Sequence, residues 1–136
     1  MTSANETRGE ITITLEGVDY VMRPSYEAIV AFEASTGRSL IQLAQDASAG
    51  ALSTTYLAEI IAECIRAWGR AVGDNAVANI NAKRVARLLI DEGVLIALKR
   101  VEVLLFMAAT GGMTSSGEVK AAPRSSTETP GVAKQE

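Results

Sequence analysis

The sequence predicts an α+β fold, an N-terminal β-hairpin packed on a bundle of about four to five helices and followed by a disordered C-terminal tail. Three observations predict it. A stretch near the N-terminus alternates apolar and polar residues with a period of two. Beyond Pro24, apolar residues recur at helical spacing between recognisable caps. The chain is 48% hydrophobic but only 4% aromatic, so its core is built from Leu, Ile, Val and Ala. At 136 residues there is material for one such core.

The alternating stretch runs from Glu10 to Leu15 and puts Ile11, Ile13 and Leu15 on one face, Thr12 and Thr14 on the other. Glu16-Gly17 is a tight turn in which Gly17 can take positive φ, and residues 18–23 return as a second strand carrying Tyr20 and Met22. A lone hairpin is marginal in water, so the Ile11, Ile13, Leu15 face must pack on helices or pair with more strands.

Pro24 ends the strand because it cannot donate to a ladder, and Ser25 caps a helix over residues 26–35 that Gly37 closes. Ser39 and Gln42 fit a capping box opening a short helix that ends at Ala49-Gly50. Ser53 caps the clearest helix, with Leu52 and Leu57 as a hydrophobic staple. Its Leu57, Ile60, Ile61, Cys64, Ile65 and Trp68 form one stripe, with Glu59, Glu63, Arg66 and Arg70 off it, so this helix is the spine of the core. After the break at Gly73-Asp74-Asn75, residues 76–80 are ambiguous. Asn81 then caps a helix ending at Asp91-Glu92-Gly93 with Val85, Leu88 and Leu89 inward, and a last helix spans residues 94–109 up to Gly111-Gly112.

From Met113 onward no Leu, Ile, Phe, Tyr or Trp remains to anchor the chain. The expected organisation is a flexible N-terminus over 1–9, a single domain over 10–112 and a disordered polar tail over 113–136.

Composition excludes much chemistry. The net charge of −3 and pI near 5.1 give no positive field to gather nucleic acid or anionic lipid. There is no histidine, which removes the usual general base near neutral pH and the commonest nitrogen ligand for transition metals. Cys64 is the only cysteine, so no intrachain disulfide or thiolate cluster can form, and a reducing cytoplasm is the simplest home. It lies on the apolar stripe and reads as a small buried hydrophobe, not a nucleophile. Glu59 and Glu63, one turn apart, and Asp91 with Glu92 read as solvated surface charges. Lys83, Arg84 and Arg87, with Lys99 and Arg100 nearby, form the one basic cluster; it reads as an ordinary charged face with Arg87 placed to pair with Asp91. The polar N-terminus is not a secretory signal, and the apolar run over 94–109, interrupted by Lys99, Arg100 and Glu102, is too short to cross a bilayer core of about 30 Å. The chain is therefore expected to be non-enzymatic, without cofactor or metal.

Beyond Glu102 the last helix is apolar all round: Val103, Leu104, Leu105, Phe106, Met107. Either the hairpin buries this end, or it engages another copy or a hydrophobic partner. The first residues to consider for partner contact are Val103, Leu105, Phe106 and Met107, then Tyr20 and Met22 on the return strand.

The stretch Gly9-Glu10-Ile11, then Leu15-Glu16-Gly17, Tyr20, Met22-Arg23-Pro24-Ser25, Ala28-Ile29, Phe32-Glu33, Gly37 and Ser39-Leu40 resembles the small tail proteins of gene transfer agents and related siphophages, usually assigned as tail assembly chaperones and sometimes labelled tail tube proteins. The likeness runs in order of elements from about Gly9 to Gly112. It implies a protein of the host bacterial cytoplasm that binds the aggregation-prone tape measure protein, keeps it soluble and helps bring tail tube subunits to it. It also implies, in many phages, a longer form made by ribosomal frameshifting near the end of the gene. The basic run at Lys83, Arg84 and Arg87 has no counterpart role in the family. The alternatives are a structural tail tube or tail-completion subunit and, less favoured by the acidic total, a small DNA-binding regulator.

Overall fold

The structure is a computed structural model and describes residues 10–120. The flexible N-terminus expected over 1–9 and the part of the expected tail beyond Lys120 lie outside the described residues.

Strands β1 (Ile11–Leu15) and β2 (Val18–Met22) pair antiparallel in the register Ile11↔Met22 to Leu15↔Val18. This leaves a two-residue turn in which Glu16 and Gly17 have φ of 55° and 75°. Both central residues are left-handed, the geometry whose twist matches a two-residue hairpin. Gly17 adopts it freely, whereas Glu16 is held by its surroundings. Its N–H donates to Glu92 Oε2 at 3.0 Å and its carboxylate lies 3.2 Å from the Arg84 guanidinium.

The hairpin does pack on helices. β1 lies against α5 and α6 and β2 against α3, with Ile13 and Leu15 buried. At its end β2 loses the in-out alternation, because Val21 and Met22 are both buried. There the chain runs under α3, and the N–H of Arg23 donates to the carbonyl of Cys64 at 2.9 Å.

The helices are α1 (Tyr26–Thr36), α2 (Leu40–Ser48), α3 (Thr54–Val72), α4 (Asn75–Ala78), α5 (Ala82–Glu92) and α6 (Val94–Ala109). The expected caps are in place: Ser25, Ser39, Ser53 and Asn81 accept from the amides of Ala28, Gln42, Tyr56 and Arg84, and Gln42 completes its box. α3 is the spine, touching α1, α4, α5, α6 and β2. Leu57, Ile60, Ile61, Cys64, Ile65 and Trp68 are all buried. Each large aliphatic side chain so placed contributes about 1.5–3 kcal/mol, well above any propensity term.

The ambiguous segment after Gly73 is the single turn α4, capped by Asp74 and pressed onto α3 at Gly69. Arg66 bridges the same joint. Its Nε donates to the carbonyl of Ile80 at 2.9 Å and its Nη1 meets Glu63 at 2.8 Å.

The tail departs from expectation at its start. Residues 113–120 form a turn closed by an antiparallel bridge between Met113 and Val119. The N–H of Tyr26 donates to the carbonyl of Ser115, and Glu118 lies 3.5 Å from Arg23. Apolar anchors are scarce here, so backbone hydrogen bonds and an ion pair hold the segment instead; composition does not reveal such bonds.

Candidate partner-binding face

Beyond Glu102, α6 has the sequence least able to declare its own orientation, since apolar residues surround it there. The fold assigns the sides. Ala97, Val101, Leu104 and Leu105 turn into the core, and α6 lies along α2 and crosses β1 and α5. What remains outward is Leu95 (67% exposed), Ile96 (67%), Val103 (52%) and Phe106 (63%), with Lys99 exposed and Glu102 half-buried between them. On a helix of 3.6 residues per turn, Leu95, Lys99, Glu102 and Phe106 follow steps of four, three and four and form one line.

The partner residues expected from sequence therefore divide. Val103 and Phe106 stand on this outward face, and Met107 is half-buried at its edge. Leu105 is wholly buried, one residue from Phe106 but turned by about 100° around the helix into the core, so it is corrected to a packing residue. Met22 is likewise core, at 2% exposure, because β2 ends beneath α3. Tyr20 is half-buried against the core on the strand that meets α3, so the structure does not join it to the α6 face. Sequence reasoning missed Leu95 and Ile96. For Leu95 the signal was the 4-3-4 spacing through Lys99 and Glu102 to Phe106; Ile96 lies one position off that line, on its apolar flank.

Beside this face, the hairpin and the α5–α6 corner leave a groove of about 180 Å³. Ile13, Leu15, Leu89 and Ile96 line it, with Glu92 and Arg100 among its polar residues. Ile96 belongs to both groove and face.

The remaining candidates have structural roles. Cys64 is buried, and desolvation, followed by the adjacent Glu63 charge, pushes its thiol far above the usual range. Glu63 is paired with Arg66. Among the described residues no three acidic or thiol side chains gather into a group that could hold a metal ion. In the basic run, Arg84 pairs with Glu16 across the hairpin tip; the expected Arg87–Asp91 pair is not among the ion pairs of the described residues. No helix of the described residues is long and apolar enough to cross a membrane.

A family model described as phage tail tube protein, GTA-gp10, matches residues 8–94, from before the hairpin through α5 to the first residue of α6. The match stops short of Gly112, where the likeness was expected to end, and leaves nearly all of α6 outside it. No curated protein and no solved structure matches the chain.

Proposed function

This chain belongs to the phage tail tube protein, GTA-gp10 family, a tail tube and assembly-chaperone-like family, and takes part in phage tail assembly; on that premise we propose that it is a tail assembly chaperone that acts without catalysis. In this reading it binds the tape measure protein in the host cytoplasm and keeps that long partner soluble while tube subunits are brought to it. The observation that carries the reading is the outward face of α6, where Leu95, Ile96, Val103 and Phe106 present apolar surface in one strip. Strips of this kind mark protein contacts, because exposed apolar area gains free energy when a partner covers it. An amphipathic helix of the partner laid along the strip and the adjoining groove suits the chemistry.

Co-expression with the tape measure protein of the same gene cluster tests this. The expected result is a higher soluble yield of that partner and a complex that survives purification; unchanged solubility with nothing co-purifying would overturn the reading.

A second reading, a structural tube or tail-completion subunit, is favoured by the family's own description as a tail tube protein. Mass spectrometry of finished particles separates the two. A chaperone is absent from the completed tail, whereas a tube subunit is among its most abundant proteins.

A further inference from the structure

We propose that the outward face of α6 docks a second copy of this chain, the two α6 helices packing antiparallel about a two-fold axis that passes between Lys99 and Glu102. The line of outward residues reads Leu95, Lys99, Glu102, Phe106: apolar, cation, anion, apolar, at steps of four, three and four. That order is its own complement when reversed. In one antiparallel register Leu95 faces Phe106 of the second copy and Lys99 faces Glu102 of the second copy, and each contact occurs twice, as an isologous interface requires. Ile96 and Val103 flank the line and add apolar surface on one side. The 4-3-4 spacing is that of the seam of a two-helix coiled coil, in which apolar layers supply the adhesion and charged positions fix register and orientation.

Other contacts of the chain with itself fit less well. A parallel pair in register would set Lys99 against Lys99 and Glu102 against Glu102, which is repulsive. The chain's own residues 121–136 include no Leu, Ile, Met, Phe, Tyr or Trp with which to cover the strip. Neither Lys99 nor Glu102 is committed to an ion pair within the described residues, so both are available for an intermolecular one. The buried side of α6 is occupied by Ala97, Val101, Leu104 and Leu105, so pairing through the outer side leaves the core intact. The partner helix proposed above would lie on the same strip, so dimer and tail protein compete for it, and the dimer is the form of the chain with no tail protein bound there.

Sedimentation equilibrium of the full chain over the micromolar range, with circular dichroism as a control for folding, tests the proposal by charge exchange. The wild type is expected to form a dimer. Lys99→Glu and Glu102→Lys each put like charges at both symmetry-related contacts and are expected to weaken dimerisation by at least about tenfold. The double exchange K99E/E102K restores opposite charges in the same register and is expected to recover the dimer. A monomeric wild type would overturn the proposal, as would single exchanges without effect or a double exchange no better than its parents. A monomer that still co-purifies with the tape measure protein would sink the dimer alone. A charge-sensitive dimer that captures no tail protein would leave the dimer standing and remove the chaperone reading.

Discussion

The backbone N–H of Tyr26, the first residue of α1, donates to the carbonyl of Ser115 at 2.8 Å, joining the start of the first helix to the turn beyond the last one. Helix N-termini carry amide groups that no intrahelical carbonyl can accept, and here the distant turn satisfies one of them. The fit depends on Gly117. It has φ of +85°, and a Cβ on it would fall 2.7 Å from the backbone nitrogen of Ser25 and 3.0 Å from the carbonyl carbon of Arg23. Gly117→Ala is therefore expected to release the turn, at a cost of about 1–2 kcal/mol for the left-handed backbone alone. Hydrogen exchange checks this: the Tyr26 amide should exchange much faster while the amides of α3 keep their protection.

Gly69→Ala is expected to destabilise, against the usual trend. In an exposed helix the change gains about 1 kcal/mol in propensity. Here the added Cβ would lie 2.8 Å from both the Cα of Ala78 and the carbonyl carbon of Val77, backbone atoms that cannot rotate away. Overpacking of that kind costs about 1–3 kcal/mol, so the clash outweighs the propensity gain. A lower melting temperature is the readout, and an increase would show that α4 shifts freely off α3.

Phe106→Asp and Leu105→Asp should behave oppositely despite being neighbours. Phe106 is outward, so its replacement is expected to change stability by no more than about 0.5 kcal/mol while weakening partner capture in the co-expression assay. Leu105 is fully buried, and a carboxylate there has no partner and no water, so the cooperative thermal transition should be lost. Melting curves of the two variants side by side decide the orientation of α6.

Cys64 should resist thiol reagents until the protein unfolds, because burial holds it as the neutral thiol. Its folded pKa is raised, so above the unfolded value of about 8.5 the unfolded chain gives up a proton that the folded chain keeps. Stability is then expected to fall as pH rises beyond that point. Denaturant unfolding of wild type and Cys64→Ala between neutral pH and pH 10 checks this through a slope that the variant lacks.

How much of this could be read from sequence depended on whether the signal was local. The alternation of Ile11, Ile13 and Leu15, the Glu16-Gly17 turn and the caps at Ser25, Ser39, Ser53 and Asn81 are set by residues within a few positions of one another. The stripe from Leu57 to Trp68 was legible for the same reason, since polar residues on the opposite side give the helical period a phase. The family likeness was carried by this same front part of the chain and agrees with the match over residues 8–94.

Tertiary structure decided what local pattern leaves open. Beyond Glu102 α6 is apolar on every side, so only its packing against α2, α3, α5 and β1 determined that Leu105 is core and Phe106 is surface. Met22 looked like a strand residue free to face outward until α3 covered the end of β2. The 113–120 turn rests on hydrogen bonds between backbone groups far apart in the chain, and every residue carries those groups alike. By itself, then, the sequence of this protein determined its hairpin, its five longer helices and its lack of histidine and paired cysteine, while the short α4 was decided by packing on α3. Which apolar side chains are left for a partner was decided by the fold, because burial is a property of neighbours and not of residue type.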